Sequence, residues 1–126
     1  METTNLVLAE EYYKLVGEKN SEEIKKYLHP DVELYGPMAI VKGKEAVFEA
    51  TSNFMRMFES LKIRTKLGSK EQAMVVYDSD IPGIAKSFPG ASLLSFRDGL
   101  ISKIELFYDG SRFIEKREEI FSQASS

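Results

Sequence analysis

The sequence contains no cysteine and only one histidine, and these two absences remove most thiol and metal chemistry at the outset. Without cysteine there is no disulfide, no thiolate nucleophile and no Cys-ligated zinc. With His29 alone, neither a His-rich centre nor a two-histidine carboxylate triad can form, so no metal and no cofactor is expected. His29 precedes Pro30 at a helix end, which suits a structural or solvent-facing ring. Positive charge is not in excess either. Seventeen Lys and Arg against 20 Asp and Glu leave a net charge of −3, with no electrostatic reason to expect nucleic acid or an anionic membrane as partner. No apolar run approaches the ~18 residues of a membrane span. Met1 to Asn5 lack the charged and apolar regions of a signal peptide, so a cytoplasmic location is the expectation.

What is present is ordinary globular material: 43% hydrophobic and 29% charged residues over 126 positions. That length suits one domain, residues 1–126, with an ordered core of about 4–122. The first helix is expected from Thr4 to Val16, capped by Thr4 or Asn5 and closed by Gly17. Its apolar face carries Leu6, Ala9, Tyr13 and Val16, with Leu8, Tyr12 and Leu15 adjoining. A short second helix follows, with Asn20 and Glu23 spaced as a capping box, and it stops near Leu28 because Pro30 disfavours helix at His29. A third helix, Lys44 to Ser60, shows the strongest pattern: Val47, Ala50, Phe54, Met57, Phe58 and Leu61 form one wide stripe.

Elsewhere the period is two. Asp31 to Tyr35 alternates as a strand, and Met38 to Val41 continues it or turns back. Leu61 to Leu67 sets apolar residues against Lys62, Arg64 and Lys66, which read as a solvated face. Gln72 to Tyr77 is rich in strand formers. Ser79 to Gly90, with two prolines and two glycines, reads as a long irregular loop. Ala91 to Arg97 and Leu100 to Tyr108 flank Asp98–Gly99, the dipeptide favoured in a type I′ hairpin. A final helix is expected over Arg112 to Ser122, then a frayed tail. Helices first and strands after them argue an α+β fold.

The order of elements resembles the nuclear-transport-factor-2-like superfamily, in its SnoaL-like and ketosteroid-isomerase-like branch. Leu28-His29-Pro30-Asp31-Val32 resembles that family's passage from second helix to first strand. Val41-Lys42-Gly43-Lys44-Glu45-Ala46 resembles the start of its long helix. Asp98-Gly99-Leu100-Ile101 and Phe107-Tyr108-Asp109 resemble its last hairpin and final strand. The resemblance implies a curved antiparallel sheet wrapped with N-terminal helices into a cone, plus a C-terminal helix. Members range over isomerases, cyclases, dehydratases, hydrolases and transport adaptors, so fold alone assigns no activity.

The ketosteroid-isomerase mechanism needs a carboxylate base and buried donors. The resemblance puts Tyr12 at the donor tyrosine, Gly36 at the base and Ser92 at the second acid. Glycine cannot abstract a proton, so steroid isomerisation by that route is not expected. Asp78 and Asp80, where a strand enters the loop, can act as a proton-sharing pair or simply as turn formers facing water. Asp109 can serve as a pocket acid or as a helix cap. Tyr12, Asp78 and Asp109 are therefore the catalytic candidates. Taking Val32 and Leu34, and Ile104, Leu106 and Tyr108, as inward faces, the expected ligand-binding set is Tyr12, Leu34, Phe54, Phe58, Ser92, Leu94, Leu106 and Tyr108. An apolar wall with few polar groups suits a small apolar molecule. A SnoaL-like cyclase, dehydratase or isomerase and a protein-interaction module are the alternatives. Leu93, Ile101 and Phe107 fall on the opposite face, where a homodimer contact would cover them.

Overall fold

Tyr12, Tyr13 and Val16 lie beside Ala9 on one helical face, and all four are buried because that face lies against a sheet. In the structure, a computed structural model that describes residues 2–116, this helix α1 spans Glu2–Gly17. The chain continues through α2 (Ser21–Ile24), a 3-10 turn (Lys25–Tyr27), β1 (Leu28–Tyr35) and β2 (Ile40–Lys42). Helix α3 (Lys44–Met55) and strands β3 (Ser60–Gly68), β4 (Gln72–Ile81), β5 (Ala85–Arg97) and β6 (Leu100–Phe107) follow, and a 3-10 helix over Gly110–Lys116 ends the described chain. Six strands form one curved, unclosed sheet in the order β2-β1-β6-β5-β4-β3. Helix α1 covers β3 and β4, while α3 covers β1. The core lies between the helices and the concave face of the sheet.

The sheet is not wholly antiparallel, because β1 and β6 run parallel, with Leu34 opposite Ile104. The long excursion through β2, α3 and three further strands lets the chain return in the same direction. Strand β1 also begins earlier than expected and runs through Pro30. The proline falls where the ladder is interrupted, between Leu28 and Glu33, so its missing N–H breaks no regular pairing. Residues 40–42 turn back on β1.

Several local expectations change. Asn5 Nδ2 donates to Lys70 O at 2.9 Å, tying the helix to the β3–β4 turn. The left-handed residue after α1 is Lys19 (φ 61°), with Asn20 N bonded to Leu15 O and Lys19 N to Val16 O, a Schellman closure. Gly17 serves close approach instead, since a Cβ there would stand 3.2 Å from Leu61 O. Asn20 makes no side-chain cap bond. Helix α3 stops at Met55, before the expected Ser60, because the chain must enter β3, where Glu59 N bonds Asp80 O. Phe58 is buried after the helix has ended, so its helical spacing was accidental.

The expected loop over Ser79 to Gly90 is mostly sheet. Strand β4 runs to Ile81 and β5 begins at Ala85, with Gly83 at φ 83° in the turn. Pro89 pairs with Asp78 beyond the end of β6, where β5 has become an edge and tolerates proline. The Asp98–Gly99 hairpin has both residues at positive φ, 56° and 76°, as a type I′ turn requires.

Two bulges reset the faces. In β3 the register shifts between Ile63 and Thr65, so Lys66 turns towards α1 and pairs with Glu10 at 2.8 Å. Lys62, Arg64 and Lys66 therefore do not share one face. In β6 the register shifts opposite Ser95/Phe96, leaving Ser102 unmatched. That extra residue turns Ile101 inward, fully buried, and removes it from the expected outer patch. Of the final helix expected over Arg112–Ser122, the part to Lys116 is 3-10 helix; the remainder lies outside the described residues.

Candidate functional site

A cavity of about 80 Å³ opens inside the cone. Helix α1 gives it Tyr12, Tyr13 and Val16, and α3 gives Ala50, Thr51 and Phe54. The sheet supplies Leu34, Tyr77, Ser79, Phe88, Gly90, Ile104 and Leu106, with Tyr108 and Phe113 beyond β6. Thr51, Phe54, Leu106 and Tyr108 are only partly buried, so they border the mouth. Phe88, Tyr108 and Phe113 pack edge to face, with ring centroids 5.3–6.4 Å apart. No Asp, Glu, His, Lys or Arg lines the cavity among the described residues.

Its polarity comes from hydroxyls. Tyr13 Oη donates to Ser92 Oγ at 2.5 Å, and Tyr77 Oη shares the same oxygen at 3.0 Å. The Tyr13 and Tyr77 rings stack, with centroids 5.1 Å apart and planes at 24°. Glycine at 90 permits this, because a Cβ there would meet Tyr77 Cε1 at 2.9 Å. The Tyr12 hydroxyl is buried and has no hydrogen-bond partner among the described groups. Thr51 lies close enough to act on the Tyr12 ionisation, but its own proton goes to Val47 O at 2.9 Å, and the two hydroxyls do not meet in bonding geometry. Burial pushes the Tyr12 phenol up to about 12, outweighing the Thr51 effect, and pushes Tyr108 up to about 12 as well. Tyr13 is raised well above, and Tyr77 above, the ordinary phenol range, in both cases chiefly by burial. At neutral pH these groups are protonated donors and not bases.

Five of the eight residues expected to bind ligand line the cavity: Tyr12, Leu34, Phe54, Leu106 and Tyr108. Phe58 stands behind Phe54, ring centroids 5.1 Å apart. Leu94 is fully buried core, and Ser92 is buried behind the two phenols it serves. Gly36 abuts the wall, since a Cβ there would lie 3.5 Å from Leu106 Cδ1, and it offers the cavity no functional group.

The candidate acids lie elsewhere. Asp78 and Asp80 alternate with the buried residues Tyr77, Ser79 and Ile81 and so occupy the outer face. Arg64 pairs with Asp78 at 3.4 Å, and Asp80 accepts from Ser87 N at 2.7 Å and Ser60 Oγ at 3.2 Å. The Ser87 N–H holds the Asp80 carboxyl below its ordinary range. Asp109 is exposed and accepts from Ser111 Oγ at 2.6 Å and Ser111 N at 3.1 Å. These bonds, the Ser111 hydroxyl first, lower its pKa, as suits a turn cap more than a proton donor. The described residues hold no group of three or more potential metal-ligating side chains, and no helix among them is long and apolar enough to cross a membrane.

Sequence reasoning missed Tyr13, Tyr77, Phe88 and Phe113 as wall residues. Tyr77 was within reach, because it continues the alternation of Ala73 and Val75, all three being buried. Phe88 was hidden by the reading of its segment as loop.

The SnoaL-like domain model matches residues 9–104, whereas no curated protein matches the sequence. A de novo designed protein with a curved β-sheet superposes with a TM-score of 0.85 at 21% identity, covering 97% of this chain and 98% of that one. A steroid delta-isomerase from Pseudomonas aeruginosa superposes at 0.75 with 17% identity, covering 99% and 91%. A nuclear-transport-factor-2-like protein of unknown function from Cytophaga hutchinsonii does so at 0.71 with 20% identity, covering 82% and 88%. Such low identities carry the fold and nothing of the chemistry. Since the matched region runs from the middle of α1 through α2, α3 and strands β1 to β5 into β6, the chain belongs to the SnoaL-like domain family.

Proposed function

We propose that this protein binds a small, predominantly apolar molecule inside the cone. The observation that carries this reading is the cavity itself: an apolar wall that keeps a buried Tyr12 hydroxyl without a partner. Polar atoms set sparingly in an apolar wall are the usual make-up of a small-molecule site. The alternative of a cyclase, dehydratase or isomerase working through Asp78 or Asp109 draws less support. Asp78 is engaged by Arg64 and Asp109 by Ser111, both away from the wall. Ligand binding to the folded state at a hundred times Kd stabilises by about 2.7 kcal/mol, or roughly 10 °C in Tm for a chain of this length. A thermal-shift screen with steroid, polyketide and terpenoid-like compounds measures it; a melt unmoved by every compound would sink the reading.

A second reading, compatible with the first, concerns the outer face. There Leu67, Met74 and Leu93 stand in one cross-strand row, and Val76, Ala91 and Phe107 in the next. Leu67 is 65% and Phe107 51% exposed. Such a band on a monomer favours burial against a partner. Its flanking charges are internally balanced, Arg64 by Asp78 and Lys103 by Glu105, so a second copy can meet it across a twofold axis without like-charge conflict. Light scattering is expected to give about twice the 14.3 kDa of one chain, falling to the single-chain mass in Phe107→Asp. A wild type that stays monomeric at micromolar concentration rules the dimer out.

A further inference from the structure

The closed cavity is smaller than even a one-ring guest. An apolar cavity of roughly 150 Å³ in another protein holds benzene, and the space here is about 80 Å³. Part of the wall must therefore move for a guest to enter. Most of the wall is fixed by regular structure, the helices by their own bonds and the sheet by its ladders. Phe113 is carried differently. It sits on the 3-10 helix Gly110–Lys116, which belongs to no strand of the sheet. Helices of that type have poor hydrogen-bond geometry and seldom run beyond three or four residues, so this one is cheap to unwind.

The segment crosses the end of the sheet at which β1, β4 and β6 finish. On one side Gly110 abuts the β1–β2 loop, since a Cβ there would stand 3.0 Å from Pro37 Cβ. On the other, Arg112 donates to Ile84 O in the β4–β5 turn. Of Ser111 to Ile114 only Phe113 is buried. Its ring is 2% exposed and stands 5.3 Å from Phe88 and 5.4 Å from Tyr108, inside the cavity wall. The polar ties are placed the opposite way. The Arg112–Ile84 and Ser111–Asp109 bonds are exposed, so water replaces either partner when they part and little stability is lost. A buried ring on a weakly tied segment is a low-cost local opening.

Building on the pocket reading, we infer that Gly110–Lys116 is a strap that swings out of the folded protein, with Phe113 as its plug and Arg112 as its latch. Opening vacates the space of one ring and admits the guest. The test needs no guest. The chain has no cysteine, so Ser79→Cys places a single thiol on the cavity wall, at a position 2% exposed; Val16→Cys is the second reporter should the first not fold. The probe is 4,4′-dithiodipyridine, whose two rings exceed the closed space. Its labelling rate is expected to stay flat in urea below the unfolding transition, because strap opening exposes little surface. Adding Arg112→Ala should speed labelling about fivefold, the scale of one hydrogen bond, and adding Phe113→Ala should speed it further. A rate that climbs with urea as steeply as global unfolding overturns the strap, and so do equal rates with and without Arg112. A ligand screen that moves no melt sinks the pocket reading alone, since labelling reads the strap by itself.

Discussion

Phe58→Ala is expected to lower the folding free energy by about 3–5 kcal/mol, the usual cost of truncating a fully buried phenylalanine, and to change the affinity of any cavity ligand little. For a chain of this length the loss corresponds to a fall in Tm of about 10–20 °C. The ring is 1% exposed, packs on Phe54 at 5.1 Å and lies beneath the Lys19 ammonium at 5.2 Å. It does not reach the cavity, so it supports the wall from behind. Chemical denaturation of the variant, with an unchanged m-value, reads the stability. A loss under 1 kcal/mol would contradict the burial, and a parallel drop of tenfold or more in ligand affinity would show that Phe58 belongs to the site. Phe54→Ala is the comparison, since that ring lines the mouth.

The second large effect belongs to Ser92. Its single oxygen serves Tyr13 and Tyr77, and it is wholly buried. In Ser92→Ala the two phenols lose their shared oxygen and keep only each other as partners, and a buried donor left unsatisfied costs about 1–3 kcal/mol. The cost arises from stranded donors more than from the lost bonds themselves. Removing those donors as well, in Tyr13→Phe/Tyr77→Phe/Ser92→Ala, should restore much of the stability despite two additional substitutions. Urea titrations of the single and triple variants decide the matter. A triple variant less stable than Ser92→Ala would mean that the three hydroxyls act independently.

Much of this protein was determined by its sequence alone, wherever the relevant interactions are local. The absence of cysteine and the single histidine settle which chemistries are unavailable without any structure. The stripe of Ala9, Tyr13 and Val16 predicts the buried face of α1, because helical spacing alone brings those side chains to one side. Asp98–Gly99 predicts a tight hairpin, because positive φ at two adjacent positions is a local demand. The alternation of Val32 and Leu34 places Leu34 on the inner face for the same reason.

Tertiary structure decided the rest, for a physical reason that recurs along the chain. Strand periodicity is exactly two residues, so one unmatched residue reverses every face beyond it. The bulge at Arg64 sends Lys66 to Glu10, and that at Ser102 buries Ile101; neither announces itself in composition. Pro82, Gly83, Pro89 and Gly90 look like loop until β4 and β5 are paired, when Pro89 proves to sit on an edge and Gly90 to make room for Tyr77. Asp78 could be assigned to the outer face only after β4 had been extended past it. Tyr13 and Ser92 meet across 79 positions of chain, and an encounter set by the register of several strands at once leaves no local trace at either residue.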